Sequence, residues 1–187
     1  MNFYILLAKK AVENYIKEGK IIIPANDLPK EFLNRKAGVF VTIEKNGKLR
    51  ACIGTYLPTR NNIAEEIIYN AISAATEDYR FGPIVKEELP NLSYEVSILS
   101  EPKQVKDVKE LNPKKFGIIV RSQVFESGSD VIFNPAPKLY QKTGLLLPDL
   151  EGIDTVEEQI SIACQKGGIN PKTEKILIYK FTVEKYE

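Results

Sequence analysis

Histidine and tryptophan are absent from the 187 residues, methionine occurs once and cysteine twice. Without histidine there is no Ser-His-Asp or Cys-His nucleophile pair, no imidazole general base and no His-ligated metal. Two cysteines cannot hold a four-thiolate zinc ion or iron–sulfur cluster, so no metal site is expected. Acid–base work falls to Asp, Glu, Lys, Tyr or Cys. Long apolar runs are also missing. No stretch approaches the roughly 18 apolar residues of a membrane span, and no membrane partner is expected. The apolar start Phe3 to Ala8 lacks a basic region before it and runs into Lys9 and Lys10, which reads as a helix rather than a secretory signal. The expectation is a cytoplasmic protein with reduced thiols. Nor is there an excess of one charge: 26 Lys and Arg face 25 Asp and Glu, a net charge of +1. Binding that neutralises many phosphates calls for a basic excess or stripe, so nucleic acid is not an expected partner. Gly-rich phosphate loops are missing as well, because Gly167-Gly168 follows a helix and suits its C-terminal cap. The cofactor is not legible from the composition.

What is present reads as a chain of helices and short strands. Ala8, Ala11, Val12 and Tyr15 recur at helical spacing before Gly19, predicting a helix over about 3–18. Residues 21–36 are irregular, punctuated by Pro24 and Pro29. In GVFVTIEKNGKLRACIGT, two β-rich runs flank Asn46-Gly47, the pair favoured in type I′ hairpin turns. Asn62 and Glu65 form a capping-box pattern for a helix over 62–76, with Ile63, Ala64, Ile67, Ile68, Ala71, Ile72 and Ala75 on one wide apolar face. Strands are expected at 92–99, 116–121, 130–133, 144–147 and 175–186. Thr155 and Glu158 cap a last helix running to Gly167. Strands outnumber helices and the hairpin is antiparallel, so the fold class is α+β, a mostly antiparallel sheet with flanking helices, in a single domain over 1–187.

A simple count from the hairpin turn pairs Lys45 with Lys48, Ile43 with Arg50 and Val41 with Cys52. Arg50 and Cys52 then share a face, roughly 6.5–7 Å apart. An adjacent guanidinium favours the thiolate. Cys52 is also readable as a small buried apolar residue, which is how most free cysteines behave. Gly54, two residues on, leaves room beside the thiol for a ligand or another backbone. Cys164 falls on the apolar side of the last helix and reads as buried. Asp78 and Arg80 crowd a loop with Phe81 and Pro83, a mixture that suits a cleft or an ordinary charged surface. Glu95 alternates with Ser93 and Ser97 on the polar side of its strand.

The hairpin resembles the AMMECR family, named for the chromosomal region of Alport syndrome with midface hypoplasia and elliptocytosis. Its L-R-G-C-I-G motif is matched by Leu49, Arg50, Ala51, Cys52, Ile53 and Gly54. AISAATEDYRFGPIVKEEL is similar to the family's alanine-rich helix and D-x-R-F-x-P loop, aligning Asp78, Arg80, Phe81 and Pro83. YEVSIL carries Glu95, TGLLLPDLEG the GLLLP element, and CQKGGI the segment usually written K-A-G-L. Ala51 replaces the motif glycine, and Lys115-Phe116-Gly117 stands where the family commonly has Lys-His-Gly, so no histidine role carries over. The resemblance implies a larger and a smaller lobe, with Arg50, Cys52, Gly54, Asp78, Arg80 and Glu95 around a cleft between them. It implies no particular reaction. Family members are often encoded beside, or fused to, Memo-like and radical-SAM proteins, which implies partners in one pathway. Two functions follow as expectations. In one, Cys52 is a nucleophile or attachment point, Arg50 and Arg80 stabilise the thiolate and attract a small anionic ligand, and Glu95 or Asp78 orients an arginine or moves a proton. In the other, the same cleft is a non-catalytic binding module.

Overall fold

Helix α1, Phe3–Glu18, begins where the Asn2 side chain accepts a hydrogen bond from the Tyr4 amide and ends at Gly19, which has φ 69°. The computed structural model describes residues 2–125 and 139–187. Within the irregular stretch expected at 21–36, residues Lys30–Asn34 form a short helix, α2. Strands β1, Val39–Lys45, and β2, Lys48–Thr55, make the hairpin. Asn46 and Gly47 both have positive φ, 53° and 72°, as a type I′ turn demands. Helix α3, Ile63–Glu77, starts where Asn62 accepts from the Glu65 amide. A 3-10 turn at Lys86–Asn91 leads into β3, Leu92–Leu99.

The order β2-β1-β3-β8 forms a first sheet, with β8 being Val183–Tyr186. Alternation along β1 sends Val39, Val41 and Ile43 into the core, joined by Ala51, Tyr94, Val96 and Ile98. Helix α3 packs on β1 and β2, and α1 packs on α3 and β3. All seven residues of the apolar face expected on α3 are buried. The opposite face of the sheet carries Phe40, Thr42, Cys52, Gly54 and Glu95, all half-buried.

A second sheet has the order β4-β7-β5-β6: Lys103–Gln104, Ile176–Phe181, Gly117–Phe125 and Leu139–Leu146. Residues Gly117 to Val120 are buried on both sides, as a short continuous apolar strand should be. Helix α4, Val156–Lys166, packs on β5 and β6, with Thr155 and Glu158 closing the expected capping box. The single strand expected at 175–186 is broken at Thr182, and its two halves join different sheets. The strand expected at 130–133 lies outside the described residues. The chain divides into two compact units, one running to Glu101 and taking in Glu184–Glu187, the other Pro102–Val183. No helix among the described residues is long and apolar enough to cross a membrane.

Candidate functional site

A β-bulge decides where Cys52 points. The observed partners are Lys45↔Lys48, Glu44↔Leu49, Ile43↔Ala51 and Thr42↔Cys52, with the register shifting between Ile43 and Glu44. Arg50 is the extra residue. The pairing expected from the turn, Val41 with Cys52 and Ile43 with Arg50, is thereby displaced by one position. Bulges re-aim side chains in this way. Ala51 goes into the core opposite Ile43 and has no positive φ, so an L-residue fits where the motif has glycine.

Cys52 therefore lies opposite Thr42, and Thr42 lies opposite Glu95 on the other neighbouring strand. The three side chains make one row across β2, β1 and β3, on the face away from the helices. The Thr42 hydroxyl donates to the Cys52 Sγ at 3.3 Å. Glu95 accepts from the Ser97 hydroxyl at 3.0 Å, and Lys185 Nζ stands 3.9 Å from its Oε2. Glu95 thus sits on the half-polar face, but beside Thr42 and Lys185 rather than beside an arginine.

Asp78 and Arg80 do something the sequence did not suggest. Strand β2 is an edge of its sheet, leaving the outward amide and carbonyl of Cys52 without a strand partner. The Asp78 Oδ2 accepts from the Cys52 amide at 2.9 Å, and Arg80 Nη2 donates to the Cys52 carbonyl at 3.2 Å. The pair stands in for a neighbouring strand and covers the edge. Arg80 also forks onto Asp78, with Nε to Oδ1 at 2.9 Å and Nη2 to Oδ2 at 2.7 Å. The Arg80 guanidinium and the Cys52 and Arg80 amides outweigh the burial of Asp78 and hold its carboxyl down at about 2.

Arg50 is similarly engaged. It forks onto Glu88 with two 2.9 Å bonds and donates to the carbonyls of Gly82 and Pro83. The Arg50 fork, with help from Lys45 and the Val85 amide, keeps Glu88 at about 2. Each guanidinium is thus matched by a carboxylate: Asp78 orients Arg80, one of the two parts expected of it, and Glu88 holds Arg50. Of the two alternatives for Gly54, a ligand or another backbone, the structure shows the second. A Cβ there would lie 2.3 Å from the Val39 carbonyl oxygen and 2.4 Å from the Phe40 ring, so the glycine admits a neighbouring backbone and ring rather than a ligand.

Reasoning from sequence alone passed over Thr42, Glu88 and Glu66. The buried Glu66 accepts from both the amide and the hydroxyl of Thr59, the Arg60 amide and the Thr55 hydroxyl, all within 2.8 Å. Its signal was available: Glu66 and Asn70, four apart, interrupt an otherwise apolar helix face. Cys164 is buried, and desolvation pushes its thiol up. No group of three or more Cys, Asp or Glu placed to hold a metal occurs among the described residues. A groove of about 610 Å³ runs between α1 and residues 22–28, and no motif residue lines it.

The chain is similar to several known proteins over nearly its whole length. A protein of Thermotoga maritima is 46% identical over 185 residues, covering 98% of this chain and 97% of its own length. A protein of Clostridium acetobutylicum is 40% identical across 98% of this chain, which spans only 36% of that longer relative. The crystal structure of an uncharacterized protein of Pyrococcus horikoshii superposes with a TM-score of 0.79 at 34% identity, covering 98% of this chain and 88% of that one. The AMMECR1 family model matches residues 5–186, nearly the whole of both units and every element that builds the Cys52 row, and the chain belongs to that family.

Proposed function

We propose that Cys52 is the reaction centre of a cytoplasmic enzyme component, serving as a nucleophile or covalent attachment point. The observation that carries this reading is the treatment of the residue by its surroundings. Its amide and carbonyl are held from one side by Asp78 and Arg80, and its sulfur accepts a hydrogen bond from Thr42 on the other. A nucleophile must be held in place and must remain reachable. Cys52 is half-buried, whereas Cys164 is sealed. Thr42 orients the sulfur by donation. Glu95, next in the row, takes the part of proton carrier that histidine plays elsewhere. Asp78, Arg80 and Arg50 act as positioning residues in this reading.

The longer clostridial relative supports the word component, since there the same domain is joined to further chain. Memo-like and radical-SAM proteins are the partners the family resemblance suggests. A second reading, a binding module without chemistry, is favoured by the pairing of both arginines with carboxylates. Native protein treated with iodoacetamide at neutral pH separates the two. The proposal expects a single adduct at Cys52, absent from Cys52→Ser protein of unchanged melting temperature. No adduct before unfolding would favour the binding module.

A further inference from the structure

We propose that the groove between residues 21–24 and the start of α3 binds a free α-amino acid with an apolar side chain, its carboxylate taken by Arg60 and its ammonium by Glu65. The inference stands apart from the chemistry of Cys52, since no residue of the Cys52 row lines the groove. The groove has a volume of about 480 Å³, within the range of small-molecule sites. Arg60 is its anchor. The buried Glu66 fixes the chain that carries Arg60, accepting from the Thr59 amide, the Thr59 hydroxyl and the Arg60 amide, each at 2.8 Å. At the far end of the side chain, the guanidinium carbon lies over the Tyr69 ring, 3.7 Å from its centroid. Such a contact uses the flat face of the guanidinium and spends none of its N–H donors. Among the described residues none of those donors makes a hydrogen bond or an ion pair. An arginine held at both ends with its fork unspent is preorganised for a carboxylate, which it takes with a pair of parallel bonds.

Glu65 supplies the opposite charge. Arg60 and Glu65 are the charged residues of the lining, yet among the described residues no ion pair joins them, and the guanidinium stays on Tyr69. Glu65 is held by the backbone and side-chain amides of Asn61 and the side-chain amide of Asn62, at 3.2, 3.3 and 3.4 Å. A carboxylate has about four acceptor positions, so one remains for an ammonium. A groove that keeps a fixed cation and a fixed anion apart is matched by a zwitterion. A plain anion would gain Arg60 but meet the repulsion of Glu65, and a plain cation would meet the reverse. The rest of the lining selects the ligand's side chain. Ile21 is 45% exposed and Ile23 87%, and both line the groove. An apolar group laid against them leaves water together with them, whereas a polar one finds no partner there.

The test is calorimetric titration of the purified full chain with L-leucine, L-isoleucine and L-phenylalanine. At least one should bind with a dissociation constant below about 1 mM. For the tightest of them, two analogues should each bind at least tenfold more weakly: the amide, which lacks the carboxylate, and the deaminated acid, which lacks the ammonium. Arg60→Ala should weaken the amino acid at least tenfold. Glu65→Gln, which keeps a residue suited to the helix start, should weaken the amino acid at least tenfold and leave the deaminated acid unchanged. The analogue series uses unaltered protein, so it decides even where a variant melts early. Binding of none of the three amino acids overturns the proposal. So does an amide or a deaminated acid that binds as tightly as the amino acid, or an affinity indifferent to Arg60→Ala.

Discussion

Replacing Asp78 by Ala isolates the contribution of the edge clamp. The carboxylate accepts from the Cys52 amide, from the Arg80 amide and from two guanidinium nitrogens, and it is almost wholly buried. Removing one partner of a buried ion pair costs about 3–5 kcal/mol when the other charge is trapped. Arg80 is not trapped, because nearly half its side chain reaches solvent and it can turn outward. What stays behind is the Cys52 amide, and an orphaned buried donor costs about 1–3 kcal/mol. A loss of about 2–3 kcal/mol is expected by urea unfolding, with the exposed Glu87→Ala near zero as control. The same carboxylate sets a pH dependence. Its folded pKa of about 2 lies below the unfolded value of ~3.9. Its contribution is complete above that unfolded value and is lost as pH falls from about 4 through about 2, a window Glu88 shares. In Asp78→Ala protein the acid limb should flatten without vanishing. A loss below about 0.5 kcal/mol with an unaltered acid limb would refute the clamp.

Three further outcomes follow from the packing. Ile67→Ala, at a fully buried position of α3, should lose about 2–5 kcal/mol in the same assay. Gly54→Ala should lose about 1–3 kcal/mol, because its Cβ would be driven into the Val39 carbonyl and the Phe40 ring; wild-type stability would mean the strands are not that close. Thr42→Val should slow alkylation of Cys52 several-fold at unchanged stability, and Thr42→Ser should restore it; equal rates in all three would remove the hydroxyl from the site.

Local signals were legible in the sequence and long-range ones were not. The ends of α1, the Asn46-Gly47 turn and the Thr155 capping box each depend on residues within one turn of chain, and all stand where expected. The register of the hairpin did not follow from its turn, because a bulge leaves no compositional mark: Arg50 looks like any strand residue until Ala51 is seen to enter the core. That single slip hid Thr42, the neighbour of Cys52. The pairing of Arg50 with Glu88 spans 38 residues and is a product of tertiary placement. The Asp78–Arg80 pairing, two residues apart, was within reach of the sequence, whereas the choice of Glu88 for Arg50 is one that no spacing rule makes.

In the function proposed above, the native fold presents Cys52 for reaction while it seals Cys164. The most direct test is the iodoacetamide modification rate of each cysteine, measured by mass spectrometry across urea concentrations below the unfolding transition. The Cys52 rate should be substantial in buffer and nearly independent of urea. The Cys164 rate should be negligible in buffer and rise with the unfolded fraction, since its thiol is buried and held protonated. Two rates that rise together with unfolding would contradict the account and make Cys52 an ordinary structural residue.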